Sequence, residues 1–162
     1  MLAGVEADQL IARLGLKPLP IEGGWFAETY RSEFSTAIYY LLTPDAVSRM
    51  HRLRSDEVYH FYAGDPVEML LLLADGASEV LTLGGDIEAG QSPQIVVPRG
   101  VWQGCRLAEG GKWALMGTTV APAFDFEHFE PADRDDLMRR YPDRAEMIRD
   151  LTPRTDDRES AK

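Results

Sequence analysis

The chain has 162 residues, 27% of them charged and 44% hydrophobic, a composition that fits one globular domain burying roughly two-thirds of its unfolded surface. A net charge of -10 at pH 7 argues against nucleic acid or an anionic membrane as partner, because both are held by cationic side chains. The single cysteine, Cys105, excludes an internal disulfide framework and fits a reducing compartment, so the expected location is cytoplasmic. No stretch has the length and apolarity of a membrane span, and the N-terminus lacks a basic region followed by an apolar core.

In chain order, Glu6 to Leu14 has the first helical spacing: Leu10, Ile11 and Leu14 form an apolar stripe, and Gly15 is placed to cap it. Leu16 to Gly24 carries two prolines and the Gly23-Gly24 pair, so an extended connector is expected there. The period then changes from helical to alternating. Nine short β-prone runs follow: Trp25–Arg31, Thr36–Thr43, Val47–Leu53, Val58–Ala63, Val67–Leu73, Ser78–Leu83, Gln94–Val97, Val101–Arg106 and Trp113–Val120. Asp75-Gly76 and Glu109-Gly110-Gly111 have the composition of hairpin turns. So many short strands predict a closed barrel or sandwich, since closure removes exposed edges. Helical spacing returns at Asp133–Tyr141 and Asp143–Leu151, separated by Pro142, and residues 152–162 form a polar tail expected to fray.

One stretch concentrates the chemistry. Residues 48–66 hold His51, Glu57, Tyr59 and His60. On a strand, His51 and Leu53 share one face while Met50 and Arg52 share the other. Ser55-Asp56 suits a turn, so Glu57 begins the next strand beside the one bearing His51. Imidazole and carboxylate then approach each other inside the barrel, an arrangement that serves either half of a metal site or an acid/base pair. By alternation Glu57, Tyr59 and Phe61 face one way and His60 the other, an order that a bulge would exchange. Glu28, between Phe26 and Tyr30, is placed either to line the same hollow or to face solvent. Core or partner contact is the plainer reading for His60, packing for Tyr30, Tyr40, Tyr59 and Trp102, and a buried small residue for Cys105.

His51, Glu57 and Gly64 stand at the spacing of the first motif of the cupin superfamily, and Pro98, Gly100 and Gln103 echo its second. The segments GGWFAETYRS (23–32), HRLRSDEVYHFYAGD (51–65) and PRGVWQG (98–104) resemble a small bacterial and fungal cupin branch of undefined function (DUF985-like). The resemblance implies an all-β fold with flanking helices: a double-stranded β-helix, or jelly-roll, barrel over about residues 23–130, with C-terminal helices over 131–151. It implies one domain, usually a homodimer, with a pocket at the barrel mouth. Metal-binding cupins carry a second histidine where this chain has Leu53 and a third where it has Gln103. The metal set His51, Glu57 and Gln103 is therefore poor, because a neutral amide is a weak ligand for divalent transition metals. No tightly held cofactor is expected, and a divalent ion at most weakly.

The resulting expectation is a small-molecule-binding cupin that works by proton transfer, as an isomerase, epimerase or lyase. His51 is the base, Glu57 orients it, and Tyr59 or Tyr30 supplies the proton. Glu28, Tyr30, Tyr40, His60, Trp102 and Gln103 are the candidate ligand contacts. The alternatives are a non-catalytic binding module built from the same residues and a weakly metal-dependent oxygenase.

Overall fold

The structure is a computed structural model describing residues 4–154; most of the tail expected to fray, 155–162, lies outside the described residues. Helix α1 spans Ala7–Leu14. Glu6 opens it with a capping box shared with Gln9, and Gly15 closes it in the left-handed conformation at φ 63. Eleven strands follow among the described residues. They are β1 (Lys17–Pro18), β2 (Trp25–Arg31), β3 (Thr36–Leu42), β4 (Ser48–Leu53), β5 (Asp56–Gly64), β6 (Val67–Leu72), β7 (Ser78–Leu83), β8 (Gln94–Val97), β9 (Trp102–Leu107), β10 (Ala114–Ala121) and β11 (Phe129–Pro131). Helices α2 (Arg134–Arg140) and α3 (Ala145–Asp150) close the chain.

The strands form two antiparallel sheets, ordered β1-β2-β3-β10-β5-β8 and β11-β4-β9-β6-β7. Chain-distant neighbours such as β3, β10 and β5 lie side by side, the jelly-roll arrangement expected from the sequence. Between the sheets sits a core of Tyr40, Leu42, Tyr59, Val67, Met69, Leu71, Ile95, Cys105 and Met116. Strand β6 reads VEMLLL because it is covered on both sides. Val67, Met69 and Leu71 face the barrel, while Leu70 and Leu72 meet Leu137, Tyr141, Ile148 and Leu151 of the C-terminal region. Burial of each such leucine or isoleucine contributes about 1.5–3 kcal/mol. On the other sheet, α1 places Leu10 against Leu41, Trp113 and Leu115.

Three details depart from the sequence reading. The 16–24 connector contributes the two-residue strand β1, which pairs with β2 through Lys17↔Phe26 and Pro18↔Trp25. Residues 129–131, unassigned by periodicity, pair with β4 as β11. The Glu109-Gly110-Gly111 turn is not a hairpin: β9 and β10 belong to different sheets, and the turn carries the chain across the barrel. Asp75-Gly76 does join paired neighbours, β6 and β7. At the chain's end, Thr152 is tied in, accepting from Arg134 Nε at 3.0 Å through its carbonyl oxygen.

Candidate functional site

A cavity of about 330 Å³ opens between the sheets, walled by β2, β3, β4, β5 and β10, by the segment 19–22 and by residues 124–126. His51 reaches it from β4 and Glu57 from the start of β5. A register irregularity between Ser48 and His51 lets both face inward although they are an odd number apart: Ser48 pairs Cys105 while His51 pairs Gln103. The His51 Nδ1 lies 2.7 Å from the carbonyl oxygen of Arg49. A carbonyl only accepts, so Nδ1 carries the proton and Nε2 keeps its lone pair. Phe129 of β11 stacks on the ring, with centroids 4.8 Å apart and planes 17° from parallel. The orienting partner of His51 is thus Arg49, with Phe129 against the ring, in place of the expected Glu57. Glu57 instead accepts from the Gln103 amide at 2.9 Å, beside the Thr118 hydroxyl. The other Gln103 atom, Oε1, is buried without a partner among the described residues.

A second carboxyl, absent from the sequence reading, joins them. Glu22 lines the cavity from the connector and accepts from the Ser48 hydroxyl at 2.8 Å. Its position follows from Gly23 and Gly24, at φ 97 and 75. A Cβ on Gly23 would lie 2.5 Å from the Val47 carbonyl oxygen, and one on Gly24 would lie 2.6 Å from the Tyr40 hydroxyl. Only a bare backbone lets the connector lie directly on β3 and β4. Tyr40, which lines the cavity, fastens it by donating to the Gly23 carbonyl at 2.7 Å. Just before Glu22, Ile21 has φ 67, a conformation costly for a β-branched residue. An acidic residue abutting a Gly-Gly pair was the available signal for Glu22.

Enclosure without a countercharge sets the electrostatics. Burial and the neighbouring Glu22 push the Glu57 carboxyl up to about 7, against opposing pulls from His51, Thr118 and Gln103. Burial also pushes Glu22 up to about 7, partly offset by the Ser48 hydroxyl. His51 moves the other way: burial lowers it, more than Glu57 and the Arg49 carbonyl raise it. Near neutral pH the floor therefore holds a neutral imidazole and two carboxyls close to half-ionised. At the mouth, the guanidinium of Arg31 donates to both oxygens of Glu28 at 2.8 Å and to the Phe124 carbonyl at 3.0 Å.

The remaining candidate residues are dispersed. Glu28 and Tyr40 line the cavity. Tyr59 is buried in the core between the sheets, outside the cavity lining, and burial holds its hydroxyl well above the ordinary value, which disfavours ionisation there. Tyr30 is 56% exposed on β2. His60 lies outside the cavity lining, its ring nitrogens 3.2 Å from Thr119 Oγ1 and 3.3 Å from Gln94 Nε2. Trp102 packs under the C-terminal helices with the Arg52 guanidinium 4.5 Å from its ring centroid. Gln103 touches the site through Glu57.

This architecture has counterparts among known proteins. The family model described as Cupin superfamily (DUF985) matches residues 8–132. The chain is a cupin. An uncharacterized Saccharomyces cerevisiae protein is 30% identical over 132 residues, which are 65% of this chain and 65% of the yeast protein. The match thus spans just under two-thirds of that relative's length. A hypothetical protein from Leishmania major superposes with a TM-score of 0.86 at 30% identity, covering 93% of this chain and all of that one. A Shewanella oneidensis protein gives 0.85 at 32% identity, over 92% of this chain and 98% of that one. Oxalate decarboxylase from Bacillus subtilis matches at TM-score 0.57 and 15% identity, over 84% of this cupin and 37% of that chain, a likeness of fold alone.

Cupin folds can carry metal, and the Bacillus decarboxylase is described with Mn(II) centres. The donors of this cupin fit such an ion poorly. Leu53 adds an apolar wall to the cavity. Gln103 turns its N–H₂, a donor, toward Glu57. Among the described residues no group of three or more His, Cys, Asp or Glu side chains has metal-holding geometry.

Proposed function

We propose that the cavity binds a small organic molecule and moves a proton on it, in the manner of an isomerase, epimerase or related lyase. The observation that carries this reading is a neutral imidazole with a free Nε2 facing the same cavity as two carboxyls poised near 7. Proton transfer is most efficient when the pKa of the acid or base lies near the working pH. His51 Nε2 accepts the proton, and the Glu57–Glu22 pair supplies or receives the second one. The pair takes over the acid role that the sequence suggested for Tyr59 or Tyr30. It shares its protons as a unit, so titration belongs to the two carboxyls together. Leu53, Ile38, Val120 and Phe26 supply an apolar wall that keeps water from competing.

A metabolite library screened by thermal shift identifies binders. Each binder is then followed by proton NMR in heavy water for loss of a carbon-bound hydrogen. Exchange catalysed by the wild-type protein and slowed about 100-fold or more in His51→Ala and Glu57→Gln is the expected result. Binders that stay fully protonated with every variant would instead identify a binding module, the alternative in which the same side chains only fix orientation.

A further inference from the structure

The cavity floor presents acceptors. Among the described residues neither Glu22 nor Glu57 pairs with a lysine or arginine. The arginine in the wall, Arg31, is committed to Glu28 and the Phe124 carbonyl. Asp125, also at the mouth, accepts from the Glu127 backbone and adds a further negative charge. Independently of these carboxyls, His51 is 1% exposed, lines the cavity and has no hydrogen bond at Nε2 among the described residues. That lone pair opens onto the cavity and is available to a donor from outside the chain. Above this floor the wall is apolar.

We infer that the cavity takes a small organic amine, its ammonium set on the floor among Glu22, Glu57 and His51 Nε2 and its apolar body against Phe26, Ile38 and Leu53. An ammonium has three donors and no acceptor, the complement of two carboxylates and one imidazole lone pair. An amine also supplies the positive charge that the enclosed carboxyls lack, where an alcohol supplies only a donor and a carboxylate adds repulsion. The volume of about 330 Å³ equals about ten waters of liquid, which admits a compact monoamine. The inference rests on the cavity being the ligand site and goes beyond that reading by fixing the charge of the ligand.

Three probes of nearly equal shape decide it: 2-phenylethylamine, 2-phenylethanol and phenylacetate. Each is titrated into the full-length protein at pH 7.5, with affinity read by calorimetry and location by amide shifts of cavity residues. The amine is expected to bind at least tenfold more tightly than the alcohol, and phenylacetate more weakly than either. Glu22→Gln is expected to weaken the amine about tenfold while changing the alcohol less than twofold, which separates loss of charge from loss of fold. Equal or tighter binding of the alcohol or of phenylacetate in the cavity overturns the amine while leaving the ligand pocket standing. Manganese(II) alone, added to the apo protein, tests the other cationic occupant. Saturable binding of manganese that displaces the amine, in competition at Glu22 and Glu57, also overturns the inference. If none of the three organic probes perturbs a cavity residue, the amine inference fails together with the pocket reading beneath it.

Discussion

Glu57 changes its charge in the range where most carboxylates have long been ionised, and this has a consequence for stability. Its carboxyl stands at about 7 in the folded protein against an ordinary value of 4.5. Between those two values the folded chain binds more protons than the unfolded one, so stability is full below about 4.5 and is lost as pH rises through 7. The contribution is on the order of 3 kcal/mol at most. His51 acts in the opposite sense, since its folded value lies below 6.5 and protonation at lower pH opposes folding. The pH profile of the wild type alone mixes the two, and the variant isolates one. Relative to wild type, Glu57→Gln should gain Tm steadily as pH rises from 4.5 to 8, by roughly 5 °C in total, in scanning calorimetry. A difference that stays constant across that range would mean that Glu57 ionises freely. At this scale the sequence was legible where spacing is local. His51 and Glu57 sit six residues apart on consecutive strands, and the motif finds them, although β4 and β5 lie in different sheets and not side by side as the alternation suggested. Glu22 reaches the same cavity from 26 residues before Ser48, its partner, and no local period encodes that approach.

The connector 19–24 walls the site and the strand β11 backs it; the first was read from sequence as plain linking chain and the second was left unassigned. Their role comes from long-range packing. Gly23 and Gly24 allow the connector to lie on Tyr40 and Val47, and β11 brings Phe129 onto the His51 ring. Gly24→Ala places a methyl 2.6 Å from the Tyr40 hydroxyl at a residue whose φ is 75. The expected cost is about 2–4 kcal/mol from backbone strain plus overpacking, measured by urea denaturation. Because the connector carries Glu22, the same variant should weaken cavity ligands. A fully stable Gly24→Ala that binds normally would show that the connector is not held in place. The turn at 109–111 teaches the same lesson in reverse: a glycine-rich turn has one composition whether it closes a hairpin or crosses between sheets, and pairing decides which.

On the scale of the whole molecule, the cavity shares a wall with what stabilises the barrel: Tyr40, Phe26 and Ile38 line the one and pack in the other. The core around Met69 and Met116 lies between the sheets, and the α2–α3 layer covers the outer face of the second sheet. The alternating runs and the doubly covered β6 made this layering readable in advance, and the jelly-roll order followed once the cupin motifs were recognised. Among the described residues no helix is long and apolar enough to cross a membrane. Cavity polarity was less readable, because bringing the half-buried Glu22 to the same cavity as the buried Glu57 depends on the closed barrel and on no single segment.

The account turns on an uncompensated carboxyl pair facing a neutral imidazole in one enclosed space. Carbon-13 NMR of the glutamate side-chain carboxyls, followed from pH 4 to 9, addresses it directly. Two resonances should titrate near 7, one of them disappearing in Glu57→Gln while the survivor moves down for want of its neighbour. Two ordinary titrations near 4.5, unaffected by each other's replacement, would contradict the site.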